Sequence, residues 1–303
     1  MVSIKKRTKP DGTIFYYLEH SVRIGFKVGK KTIYLGKKIP SNIDELKTEL
    51  FRAAYKDHYD DLEIIKRNYV KEIKVIPKSS LIKSREIFAT RFTYDTQRIE
   101  GSTLSLRDTA NLLERGVTPK NKPIGDIKEA EAHKKLFFQI LVSEKDLSLK
   151  TILEWHKLLF QDTKSDIAGK IRENRVGISG SKFIPPLPVE IYPLVRVFLS
   201  WYQKNREKTH PVELAALMHL KFVTIHPFGD GNGRISRLIM NFILRKKGYP
   251  LFNIPYEGRN SYYNALERSQ IKKEPHYFLL WFIKNYIKNN KTYLRLKIQR
   301  PSN

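Results

Sequence analysis

The sequence predicts a mainly helical protein preceded by a small, basic, β-rich module. Three observations lead there. The first 40 of 303 residues hold short β-prone runs crowded with lysine. Beyond Pro77, apolar residues recur at helical spacing with short loops between them. Two strongly apolar segments, beginning near Val212 and Ile235, flank a loop rich in glycine. With 41% hydrophobic and 12% aromatic residues there is enough material for a core, which excludes a disordered chain.

Taken in order, residues 1–41 form the small module. Apolar runs at 13–18, 22–28 and 32–35 are separated by the turn signals Asp11-Gly12 and Gly29-Lys30-Lys31, which predicts three short strands. Ten basic residues face two acids in the first 40, and Phe15, Tyr16, Tyr17, Phe26 and Tyr34 are interleaved with them. Basic strands carrying aromatics suit nucleic acid, so residues 1–40 are a candidate nucleic-acid surface, with docking of a protein or a structural cap as the alternatives. Residues 42–79 read as a helical connector, with Leu46, Leu50, Ala54, Leu62, Ile65 and Tyr69 at helical spacing. Pro77-Lys78-Ser79-Ser80 closes it, and residues 80–303 form the principal domain, helical except for a β-prone stretch at 170–188.

The composition narrows the function. Lys and Arg number 57 against 31 Asp and Glu, a net charge of +26 that suits a phosphate-bearing ligand or a solvated lysine-rich surface. The absence of cysteine excludes disulfides, thiolate metal sites and a cysteine nucleophile. The first residues, Met1 to Arg7, have no apolar stretch behind their charges, and the longest apolar run, Tyr277 to Ile283, falls far short of the roughly 20 residues a membrane helix needs. The expectation is a cytoplasmic protein without membrane contact, with a homodimer left open.

The chemistry is concentrated after the first apolar helix. Pro211 and Glu213 mark its start, and it runs into His226-Pro227-Phe228-Gly229-Asp230-Gly231-Asn232-Gly233-Arg234 before the next helix begins. Glycines at 229, 231 and 233 let backbone amides converge as an anion nest. Arg234 and Arg237 then share one face of the helix start, where the dipole opposes cations by about 0.3–1 kcal/mol and like charges repel by a few tenths. A polyphosphate would reverse both signs. Asp230 supplies a hard oxygen for Mg²⁺, and His226 is the nearby side chain able to take a proton at neutral pH. An EF-hand fails because Arg, Ile and Asn stand at 234, 235 and 241, and no Gly-Lys-Ser/Thr follows to make a Walker loop. His219 reads as a core histidine rather than a metal ligand.

The run HPFGDGNGRISR from His226 to Arg237 resembles the full signature of the Fic domain, HPFx(D/E)GNGRxxR. The resemblance covers residues 80–290 and implies a Fic-type helical bundle that transfers AMP from ATP, with Mg²⁺, to a Ser, Thr or Tyr hydroxyl of a protein target. It implies His226 as the base and Asp230 as the metal ligand. Nucleotide binding would fall to Gly229, to Asn232, Arg234 and the Gly231 and Gly233 amides at the α and β phosphates, and to Arg237 at the γ phosphate, with Phe228 as the buried anchor of the loop. In a phosphorylating branch of the family lysine replaces Gly233, so glycine here favours nucleotidyl transfer.

Upstream, Thr96-Gln97-Arg98-Ile99-Glu100-Gly101 resembles the family's inhibitory-helix motif, (S/T)xxxE(G/N), on a helix near 86–101. It implies that Glu100 occupies Arg237 and denies ATP its γ-phosphate seat. Val176, Gly177 and Ile178 resemble the family's β-hairpin flap, which docks the target by strand addition. Tyr262 and Tyr263 resemble the helix beside the adenine, with core packing as the alternative. Removal of AMP from a modified target by the same site also stays open.

Overall fold

A computed structural model describes residues 2–24 and 27–295; Phe26 lies outside them. The chain divides into two compact units, the first ending at Ile64 and the second beginning at Ile65.

The first unit is an antiparallel sheet with a helix. Strands β1 (Val2–Thr8), β2 (Ile14–Ile24) and β3 (Lys27–Gly36) pair in chain order. Leu18 lies opposite both Ile4 and Ile33, which sorts alternate side chains onto two faces. On one, Val2, Leu18 and His20 are buried, and the His20 ring meets Phe51 and Tyr55 edge-on beside α1 (Ile43–Ala54). The other face carries Lys5, Arg7, Phe15, Tyr17, Lys30 and Tyr34.

Strand boundaries differ from those expected. Residues 2–8 form an edge strand that the run Lys5-Lys6-Arg7 concealed, because an edge strand with one solvated face needs little apolar alternation. Asp11-Gly12 is a turn: Gly12 has φ +81°, its N–H donates to the Lys9 carbonyl, and Asp11 Oδ1 accepts the Thr13 N–H at 2.8 Å. Gly29-Lys30-Lys31, expected as a turn, lies inside β3 with Gly29 opposite Val22.

Helix α2 (Lys56–Val75) spans the point where the units divide. The second unit continues with α3 (Lys78–Ile99), α4 (Leu106–Arg115), α5 (Ile124–Val142), α6 (Leu149–Phe160), α7 (Pro188–Asn205), α8 (Pro211–Ile225), α9 (Asn232–Lys246), α10 (Arg259–Lys272), α11 (His276–Asn289) and α12 (Lys291–Arg295). The apolar pair α8 and α9 forms its centre. Val212, Leu214, Ala215 and Met218 on the first, and Ile235, Leu238, Ile239 and Phe242 on the second, are fully buried. Burying the larger of these side chains stabilises by about 1.5–3 kcal/mol each, which fixes the two helices against each other and holds the loop between them. Trp155 of α6 meets Phe242 edge-on at 5.5 Å. No helix of the described residues is long and apolar enough to cross a membrane.

The stretch at 170–188, expected as a β-hairpin, contains no paired strand and ends as α7 begins at Pro188. Pro185, Pro186 and Pro188 remove backbone donors from it, and Gly180 turns at φ +74°. Side chains hold it instead, as described below.

Candidate active site

Helix α8 stops at His226 because that residue turns into the left-handed region, with φ +53° and ψ +57°. This conformation is uncommon for a residue with a Cβ. Arg172 holds it from the flap: its Nε–H donates to the His226 carbonyl at 2.8 Å, and its other two nitrogens donate to the carbonyls of Asn174 and Pro186. The Arg172 backbone N–H donates to the Pro227 carbonyl at 3.0 Å. The imidazole Nδ1 lies 3.3 Å from the Val223 carbonyl, which requires its proton on Nδ1 and leaves Nε2 as the basic atom. Burial pushes the His226 pKa below its ordinary value, so the ring is neutral and ready to accept a proton near pH 7.

The loop after it is closed by Asn232. Its Oδ1 accepts the Phe228 N–H and its Nδ2 donates to the Phe228 carbonyl, both at 2.9 Å. In this conformation the Asn232 side chain therefore shapes the loop and is spent before any ligand arrives. Phe228 is the buried anchor the sequence implied, stacked on His156 with ring centroids 3.8 Å apart. His156 accepts the Gly169 N–H at Nδ1 and donates from Nε2 to the Asp230 carbonyl at 3.0 Å. Burial pushes its pKa down to about 4, which keeps it in this neutral form. Gly231 is required: φ is +79°, and a Cβ would collide with the Phe160 ring.

The two arginines have different surroundings. Arg234 is buried, pairs with Glu129 of α5, donates to Asp230 Oδ1 at 2.9 Å and to Gln97 Oε1 at 3.3 Å, and lies over the Phe160 ring. Arg237, whose side chain is 1% exposed, pairs with Glu100 and reaches the Tyr262 hydroxyl and the Thr96 carbonyl, each at 3.4 Å. The electrostatic conflict read from the sequence is thus answered inside the protein by Glu129 and Glu100, and a polyphosphate is not needed to explain why the arginines stand there. What remains is their inequality. Glu129 is buried, whereas the Glu100 side chain is 24% exposed at the end of α3, next to Gly101 with φ +98°. A Cβ on Gly233 would land on the Glu100 carboxylate, so that carboxylate lies against the glycine face of the helix start.

Asp230 is held by Arg234, by the Gly231 N–H and by Lys164, whose Nζ lies 2.6 Å from Oδ2 and 3.1 Å from Glu129. Burial opposes ionisation, but these cations keep its carboxyl well below the usual carboxylate range. No cluster of three or more His, Asp or Glu side chains that could hold a metal occurs among the described residues. A cation would rest on Asp230 together with substrate oxygens, the arrangement Mg²⁺ commonly takes. The ionised, partly exposed carboxylate fits, provided Lys164 yields Oδ2.

One side of the site opens onto a cavity of about 630 Å³, in the range that holds a small ligand; Phe228, Gly229, Asp230, Gly231, Asn232 and Arg234 are not among its lining residues. His226, Gly233, Arg237 and Glu100 line it, with Ile178 of the flap across from them. Tyr262 and Tyr263 also line it. Tyr262 is buried and bonds His219 at 3.1 Å, while the Tyr263 hydroxyl donates to the Ile99 carbonyl at 2.8 Å, one residue before Glu100. Val176 and Gly177 are not among the lining residues. His219 is a core histidine, fully buried between the hydroxyls of Ser236 and Tyr262.

Four contributors were not singled out from sequence: Arg172, Glu129, Lys164 and Glu267. Glu267 of α10 accepts from the Ser181 hydroxyl at 3.0 Å and from the Lys182 N–H, which ties the flap to the cavity wall. None has a local spacing signal.

Residues 146–244 match the Fic/DOC family, and the chain carries a domain of that family. It is 38% identical over 178 residues to the protein adenylyltransferase Fic of Drosophila yakuba, an alignment covering 57% of this chain and 36% of that protein. It is 33% identical over 236 residues to the Drosophila virilis protein of the same name, covering 75% and 48%. Among solved structures, a Fic domain-containing signaling protein from Bacteroides thetaiotaomicron is 27% identical with a TM-score of 0.70, covering 78% of this chain and 97% of that one. The chain spans less than half the length of the curated relatives.

Proposed function

We propose that the chain transfers AMP from ATP to a hydroxyl of a protein and that Glu100 restrains it. The supporting observation is a carboxylate standing where an anion seat should be: Glu100 covers the Arg237 guanidinium and the Gly233 face at the floor of the cavity that His226 also lines. Such a contact is exchangeable, because a triphosphate offers Arg237 a stronger bidentate anion than one partly exposed carboxylate.

In this reading ATP binds with its phosphates along the amides of Gly231 and Gly233, and its γ phosphate takes the place of Glu100 on Arg237. Mg²⁺, held by Asp230, would supply charge neutralisation for the phosphates. His226 Nε2 accepts the proton of the target hydroxyl as that oxygen bonds to the α phosphorus, and the bond from the α phosphorus to its bridging oxygen breaks to release pyrophosphate. Positioning and charge neutralisation carry such a transfer. The flap presents Ile178 at the rim, where a target segment would lie. A second direction, hydrolysis of AMP from a modified target with Glu100 holding water, draws on the same proximity of Glu100 and His226.

The test is the intact mass of Glu100→Gly protein after incubation with MgATP, alone and with added protein. The expected outcome is a gain of AMP on the protein itself or on an added one, lost in the Glu100→Gly/His226→Ala double variant. A relieved variant that binds nucleotide yet labels nothing, a whole lysate included, overturns the transferase reading. Loss of AMP from a pre-labelled target only while Glu100 is present would establish the reverse direction.

A further inference from the structure

The open face of the N-terminal sheet is unlike an ordinary solvated strand surface. Glu19 of β2 lies at its centre with a side chain only 7% exposed, bonded to Arg7 of β1 at 2.7 Å and to Lys30 of β3 at 2.8 Å. The two cations remain 56% and 51% exposed. The acid is sunk beneath them and orients them, so what the sheet offers to solvent is positive. Lys5 adds to the β1 edge, and Lys6, Lys9, Lys37 and Lys38 are also exposed. No described acidic side chain other than Glu19 lies on this face of the sheet.

Between the cationic edges lies an aromatic centre. Phe15 and Tyr17 contact Tyr34 at centroid distances of 6.0 and 5.3 Å. The Arg7 guanidinium lies 4.4 Å over Tyr17, and the Lys9 ammonium lies 4.9 Å over Phe15. These cations cover ring faces on which the bases of a single strand would stack, and the rings hold the cations in fixed places. That favours a ligand met through its phosphates. Arg7 of β1 and Lys30 of β3 converge on the one Glu19 carboxylate, at 2.7 and 2.8 Å, so the two edges present their charge as a single cationic cluster rather than as two separate rows.

We propose that this face docks on the phosphate backbone of duplex DNA through Lys5, Arg7 and Lys30. The surface would position the chain on DNA without selecting a sequence.

The experiment is fluorescence anisotropy of the full chain with a labelled 20-base-pair duplex, and with one of its strands alone, over a range of KCl. The duplex is expected to bind with a log–log salt slope of at least about −2.7, since each neutralised phosphate contributes about −0.9. Lys5→Ala/Arg7→Ala/Lys30→Ala is expected to weaken binding at least about tenfold and flatten the slope by about 2 to 3. The single variant Lys5→Glu, at an exposed edge position that the fold does not depend on, should weaken it severalfold, while Lys204→Ala on α7 leaves it unchanged. Tighter binding of the single strand, salt-insensitive binding, or equal affinity of wild type and Lys5→Glu overturns the proposal.

Discussion

Two arginines three residues apart on one helix have opposite characters. Arg234 is enclosed by Glu129, Asp230 and Gln97 and stacked on Phe160, and none of these partners can leave without exposing a buried charge. Arg237 is just as buried, but its carboxylate partner arrives from the C-terminal end of α3, where Glu100 has already left helical geometry. Burial alone therefore does not distinguish a structural cation from a ligand-binding one. The freedom of the counter-ion does.

The largest test of that contrast removes one carboxylate from each arginine. Glu129→Ala takes from Arg234 its buried carboxylate and leaves only the partly exposed Asp230, and is expected to destabilise the fold by up to about 3–5 kcal/mol in urea unfolding. Glu100→Gly leaves Arg237 facing the cavity, where water can replace the carboxylate, and should cost less stability and raise nucleotide affinity. Equal losses in the two variants would erase the distinction.

Acid provides a second, smaller test. His133 is fully buried beside both arginines with Nδ1 bonded to Thr93, and burial, aided by Arg237 and Arg234, pushes its pKa down to about 3. Its folded value is below its unfolded value near 6.5, so the folded state binds fewer protons between those limits. Stability is thus full above pH 6.5 and falls as the pH drops toward 3, a slope to which His156 also contributes. Urea midpoints measured from pH 7 to pH 5 should decrease, and His133→Gln should shallow the dependence by about one proton.

The smallest effect sharpens the comparison at Glu100 itself. Tyr263→Phe removes the hydroxyl that donates to the Ile99 carbonyl, at a cost of about 1 kcal/mol. Because that bond steadies the residue before Glu100, basal labelling activity should rise while the unfolding midpoint barely moves. A variant with unchanged basal activity would mean that Glu100 is held by Arg237 alone.

The legible parts of the molecule were local. The twelve residues from His226 to Arg237 announce a helix, a glycine turn and a second helix by adjacency, and the buried character of α8 and α9 follows from unbroken apolar periodicity. Glu100 was legible through a short motif next to a helix end. What stayed hidden joins distant segments: Glu129 meets Arg234 across 105 positions, and Arg172 meets His226 across 54. The opposition of Arg234 and Arg237 to the helix dipole was read correctly as a conflict, but its resolution lay in carboxylates from α3 and α5 that no spacing rule connects to them. The flap looked like a hairpin because Val176 and Ile178 are β-prone, yet proline and glycine denied it a pairing partner.

Arg172 gives His226 and the flap a shared fastener. In the proposed transfer, displacement of the rim by an incoming polypeptide would pull on the carbonyl of His226, and a poorly seated polypeptide would leave that histidine misaimed. Selectivity for the recipient would then be registered in turnover more than in affinity, so candidate recipients should be ranked by rate rather than by how strongly they adhere.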